Sequence, residues 1–196
     1  MIWLSIFLVI LVLPLFIWGC ATLFYLLFSR ISGRQTRVLA AFAAGILLSF
    51  TAAIASGFQD PGQPAPVILT IGMFLLIILI ASAAIVTPLP LLDGIVSDRE
   101  RIMVLLACAV ISLFFIWALL VNPETWAGGP EPLLADRLPL VGWILDSAMP
   151  DVGSEPLFSL LLYAGFYFEI TLVSSVVYFL IKWGRPQRKP PEGNVS

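Results

Sequence analysis

Five long apolar runs, separated by shorter stretches that hold nearly all the charge, set the pattern of this chain. They cover Ile2–Ser29, Val38–Phe58, Pro66–Thr87, Ile102–Val121 and Leu157–Lys182. Crossing a hydrocarbon core of roughly 30 Å takes about 20 residues of helix. Each run is that long, and each is apolar all round, whereas barrel strands alternate with a polar face. Lipid cannot satisfy a free backbone amide, so the helix is the conformation these runs adopt. The pattern predicts an all-α, polytopic membrane protein: a single five-helix transmembrane domain over residues 1–182, an external loop over 122–156 and a flexible tail over 183–196.

Charge supplies the orientation. Nine of the ten basic residues form three groups: Arg30, Arg34 and Arg37; Arg99 and Arg101; Lys182, Arg185, Arg188 and Lys189. Cytoplasmic connections retain Lys and Arg, so these alternate connections are expected inside, with the N-terminus outside and the C-terminus cytoplasmic. Asp60, Glu124, Glu131, Asp136, Asp146, Asp151 and Glu155 then fall outside, which agrees but weighs little. No basic residue precedes the first run, which is about twice the length of a signal's apolar core, so it is expected to remain as a helix. The composition, 60% hydrophobic against 11% charged with mean hydropathy +1.05, fits no soluble class. A bacterial-type cell inner membrane, or an equivalent, is the expected location, with the lipid bilayer as one partner and no nucleic acid. The basic tail fits an anchor of topology and could also touch anionic headgroups.

Local features refine the elements. Pro14 falls inside the first run, where a missing amide tends to kink a helix. Trp3 reads as an interfacial anchor. In the second run Ala41, Gly45, Ser49, Ala53 and Gly57 recur every fourth residue, a helix-packing face of the kind that lets backbones approach closely in lipid. That face meets a helix of this chain or of a partner. Thr87-Pro88-Leu89-Pro90 stops the third helix and is expected along the cytoplasmic interface, followed by a mixed-charge turn at Asp98–Arg101. In the long outer connection, apolar Leu138–Leu145 suggests a short interfacial helix or a docking element.

Little catalytic chemistry is available. The chain has no histidine, which removes histidine-ligated haem, most zinc sites and histidine acid–base catalysis. Cys20 and Cys108 cannot form a four-thiolate site and fit buried apolar fillers. No phosphate-binding glycine loop, nucleophile elbow or metal-ligand spacing is present, so neither cofactor nor metal is expected.

Glu169 is the exception. Twelve apolar-run residues flank it on each side, about 18 Å from either end. A carboxylate at that depth costs at least a few kcal/mol to insert, so it stays neutral or finds shelter and a partner inside protein. Gly165, one turn earlier, would admit a neighbouring helix, and Tyr163 and Tyr167 are candidate hydrogen-bond donors. Glu169 is therefore the candidate for a proton or cation path, against the plainer reading of a neutral acid bonded across a helix interface.

Five spans, an outer N-terminus, a long outer connection before the last helix and the tract Phe168-Glu169-Ile170-Thr171 resemble the small five-helix membrane-arm subunit of respiratory complex I. Glu169-Ile170-Thr171 is similar also to a tract in membrane subunits of cation/proton antiporter complexes. The spacing from Val38 to Gly72 resembles the second and third helices of the complex I subunit, where a glycine marks a distorted turn. The chain departs at Ile71, where that family has tyrosine, and lacks its acid near the start of the third helix.

Three function classes follow. The first is a subunit of a larger membrane complex, non-catalytic alone, lending Glu169 to proton or cation translocation beside other membrane subunits. The second is a stand-alone homo-oligomeric transporter or channel. The third is a membrane-embedded lipid enzyme, for which only Asp93 with Asp98 approaches a site. The orientation is directly testable with Ser32→Cys and Ser154→Cys in a Cys20→Ala, Cys108→Ala background. A membrane-impermeant maleimide should label position 154 in intact cells and position 32 only after lysis, and the reverse pattern would overturn the assignment.

Overall fold

The computed structural model describes residues 2–56, 67–92, 97–120 and 155–184. Among these residues are five long helices: α1 (Ile2–Ser29), α2 (Arg34–Ser56), α3 (Val67–Val86), α4 (Asp98–Leu120) and α5 (Glu155–Trp183), with a short 3-10 turn at Leu89–Leu92. No strand occurs among the described residues. Among the described residues, four helices are long and apolar enough to cross a membrane: α1 from Val12, α2, α3 and α5 from Ser159. The surface is inverted relative to a soluble protein. Leu23, Leu39, Val67, Ile68, Phe179 and Leu180 are exposed, while Ser49, Ser82, Thr87, Ser112 and Ser174 are buried. Apolar surface on this scale is stable only against lipid, and the chain is a membrane protein.

The helices start and stop for local reasons. α2 begins four residues before its apolar run, after Gly33, whose φ of 96° is a left-handed conformation that glycine reaches without steric cost. α4 also starts four residues early. Its cap is Ser97, whose backbone N–H and hydroxyl both donate to Glu100 Oε2 at 2.8 Å, the carboxylate half of a capping box. The mixed-charge stretch expected to be a solvated turn is thus the first turn of a helix. α1 continues unbroken through Pro14, and α3 runs through Gly72 as regular α-helix, without the distorted turn that the resemblance implied.

α3 is the axis of the bundle, touching all four other long helices, whereas α1 and α2 meet sparsely. Its C-terminal half and the residues that follow, 81–90, are all buried. The Thr87–Pro90 stretch expected at the interface is therefore enclosed by neighbouring helices at least as far as Pro90. Two cross-links fix the direction of packing. Tyr178 of α5 donates to the Ile85 carbonyl of α3 at 2.9 Å, and Arg101 of α4 donates to the Tyr25 hydroxyl of α1 at 2.7 Å. The ends of α1, α3 and α5 and the starts of α2 and α4 consequently share one end of the bundle. Arg30, Arg34, Arg37, Arg99, Arg101 and Lys182 lie at that end.

The small-residue face of α2 packs within the chain. Ala41, Gly45, Ser49 and Ala53 are buried; Gly57 lies outside the described residues. Gly45 lies flat against the ring of Tyr167 on α5, so that a Cβ there would come 2.7 Å from Cδ2 and nearer still to Cε2 and Cζ. Ser49 donates back to the Gly45 carbonyl at 2.9 Å and reaches the Tyr163 carbonyl at 3.3 Å. Phe42 closes the contact edge-on to Tyr167, with ring centroids 6.0 Å apart. Gly45→Ala should destabilise the bundle by about 1–3 kcal/mol, the usual cost of overpacking a filled interface. Denaturant titration in detergent micelles measures this, and an unchanged midpoint would show that the ring can yield.

Candidate functional site

Polar side chains inside an apolar bundle must be satisfied locally, and α5 concentrates them. Thr171 donates to the Tyr167 carbonyl at 2.8 Å and Ser175 to the Thr171 carbonyl at 2.7 Å. Such bonds to the preceding turn let hydroxyls sit in lipid-embedded helices without an unmet donor. Tyr167 reaches across to α3, where its hydroxyl lies 2.8 Å from Thr87 Oγ1, which itself bonds the Ala83 carbonyl at 2.8 Å. A chain of polar groups thus links α5 to the end of α3, directly over the helix-stopping prolines.

Glu169 is 5% exposed. It belongs to the flank of α5 that carries Leu162, Gly165 and Phe166, which repeat at three- and four-residue spacing and are all buried. That flank adjoins the face of Ile170, Val173, Ser174 and Val177 that borders a gap toward Cys108, Ile111, Ser112 and Phe115 of α4. The gap is too narrow for a water molecule. Glu169 is engaged in a polar contact, while its Oε2 atom is buried outside any hydrogen bond.

Neither suggested tyrosine donates to this carboxyl. Tyr167, two residues away, points to roughly the opposite side of the helix and bonds Thr87. Tyr163 is fully buried, and its hydroxyl makes no hydrogen bond among the described residues. The other residues of the Phe168–Thr171 tract divide between surfaces. Ile170 is buried, while Phe168 is 40% exposed and packs on Phe42 with centroids 5.8 Å apart.

Other singled-out residues lie elsewhere in the bundle. Cys20 and Cys108 are free thiols, half-buried and buried, with Ser174 and Tyr178 beside Cys108. Trp18 donates from its indole to the Ile102 carbonyl at 3.2 Å, joining α1 to α4, a contact 84 positions apart that no local pattern could disclose. Ser82 likewise reaches the Ile17 carbonyl at 3.2 Å. The Leu138–Leu145 segment, Arg137, Asp93 and the tail beyond Gly184 lie outside the described residues, as does the side chain of Asp98. No protein-family model, curated protein or solved structure matches the chain.

The two tyrosines should respond oppositely to loss of the hydroxyl. Tyr167→Phe should cost about 0.5–1.5 kcal/mol, because it leaves Thr87 without its partner across the helix pair. Tyr163→Phe should be neutral or stabilising by about 1 kcal/mol, because it removes a buried hydroxyl that makes no hydrogen bond among the described residues. Thermal unfolding of the two variants in the same detergent checks the difference; equal losses would contradict the bonding pattern.

Proposed function

We propose that this chain is a five-span, multi-pass subunit of a larger membrane complex in a bacterial-type inner membrane, non-catalytic alone, with its basic end cytoplasmic and α4 as the remaining span. In this reading Glu169 contributes to proton or cation translocation. The observation that carries it is the enclosure of a carboxyl group twelve residues from either end of an apolar helix run. Such a group is expensive to keep in a membrane, and intramembrane acids mark ion pathways more often than they serve packing.

The geometry favours a shared pathway over a private one. The narrow gap between α4 and α5 is lined by residues other than Glu169 and has no room for water, so it offers the carboxyl no private water path. A proton relay needs several stations, and the apolar runs hold no second carboxylate. A neighbouring subunit supplies them in the proposed assembly. The complex I membrane arm and the antiporter complexes are the assemblies to which the Glu169-Ile170-Thr171 tract points.

The test has two parts. Affinity purification in mild detergent should bring down further membrane chains in fixed ratio; a species with the mass of one chain would end the subunit reading. In vesicles carrying the purified assembly, Glu169→Gln should lower proton or cation flux roughly tenfold or more. Glu169→Asp should retain part of it. Unchanged flux in a folded Glu169→Gln assembly would leave Glu169 a structural acid.

A further inference from the structure

The last turns of α5 divide between two faces. On the inner face Tyr178 is buried, and its hydroxyl holds the Ile85 carbonyl of α3. On the outer face Leu172, Val176, Phe179 and Trp183 follow one another at three- and four-residue spacing, and all are exposed. Trp183, with 77% of its surface free, is the most exposed of the four and closes the helix. Its indole packs on Phe179, with ring centroids 5.8 Å apart and the planes tilted by 51°. Lys182, beside it, is exposed as well.

Packing within the chain does not account for this end. A helix end in water gains nothing from two large exposed rings, and the hydrocarbon core suits neither an indole N–H nor an ammonium. The boundary between acyl chains and headgroups suits all of them. There the rings meet the upper acyl region, the indole N–H faces the polar layer and the ammonium faces phosphate. The position agrees, because Trp183 ends an apolar stripe at the end of the bundle that carries the basic residues.

We infer that Phe179, Lys182 and Trp183 form an anchor that docks in the headgroup–acyl boundary at the basic end, and that this anchor sets the depth of α5. The helix needs such a setting. Its 29 residues make a rod about 43 Å long against a hydrocarbon core of roughly 30 Å, so length alone admits several depths. Held at Trp183, α5 carries its surplus at the Glu155 end. Glu169 is then fourteen residues, about 21 Å of helix, from the anchored boundary. A tilt of up to about 40° reduces that depth to about 16 Å, against about 15 Å to the bilayer middle. The carboxyl therefore lies at the middle or just beyond it. The anchor requires only that the chain be inserted in a bilayer, so it stands or falls separately from the subunit and ion-path reading.

The full chain, reconstituted in phosphatidylcholine–phosphatidylglycerol vesicles, tests the anchor by fluorescence. Emission from Trp183 is taken as the difference between wild type and Trp183→Phe, and again from a chain whose other tryptophans are all replaced by phenylalanine. Lipids brominated near the headgroup end of their acyl chains should quench it about twofold more than lipids brominated near the chain terminus. Aqueous iodide should quench it weakly. Dominant quenching by iodide would put the ring in water, dominant quenching by the deep bromines would put it in the core, and no quenching by either would put it inside protein; each overturns the anchor. Depth is checked at Leu172, which is exposed and about 17 Å of helix from Trp183. A nitroxide on Leu172→Cys, in a Cys20→Ala, Cys108→Ala chain, should collide freely with dissolved oxygen and rarely with an aqueous nickel chelate. The reverse preference would overturn the depth assigned to α5.

Discussion

Helices in a bilayer gain nothing by hiding apolar surface from one another, because the surrounding chains are equally apolar. What holds this bundle is close approach and the satisfaction of polar groups. Both meet at one place, where the bare backbone of Gly45 receives the Tyr167 ring and the Tyr167 hydroxyl meets Thr87. That single side chain ties α5 to α2 by contact and to α3 by a hydrogen bond. The other buried hydroxyls follow the same logic, turning back on their own helix or crossing to a neighbouring carbonyl, as Ser49 and Ser82 each do at once.

The same arrangement separates two kinds of polarity on α5. The hydroxyl seam of Tyr167, Thr171 and Ser175 faces toward α2 and α3 or along the helix, and it is explained by packing. Glu169 lies on another flank, with Leu162, Gly165 and Phe166. Nothing in the seam calls for a carboxylate, and a carboxylate is the costliest way to fill a buried position. That cost is why the functional proposal rests on Glu169 rather than on Tyr167, whose bond to Thr87 packing explains.

Much of the scaffold was legible because the bilayer imposes a length and a composition. α1 coincides with its apolar run, and α3 and α5 differ from theirs by two residues or fewer at each end. The errors at α2 and α4 have one cause: hydropathy marks what lies in lipid, while a helix runs until a cap stops it. Ser97 and Glu100 stand at capping-box spacing, yet they were masked by Asp98, Arg99 and Arg101, which read as a solvated charge cluster. The small face of α2 was visible as a pattern, but its occupant, the Tyr167 ring, was not. Long-range pairs such as Arg101 with Tyr25 carry no sequence signature at all. Tyr163 and Tyr167 are close to Glu169 in sequence without fully sharing its face, and the rotation of about 200° over two residues carries Tyr167 to Thr87 instead.

The central position of α3 has a bearing on biosynthesis. Helices enter a membrane in chain order, and the first two here have little surface in common. An α1–α2 hairpin emerging from the ribosome would be held chiefly by its loop and its basic anchors. When the third segment arrives it can dock on both predecessors at once, and its last residues then offer the Ile85 carbonyl and the Thr87 hydroxyl that the last segment grips. The element in the middle of the message is thus the one around which the earlier and later halves of the translation product are reconciled.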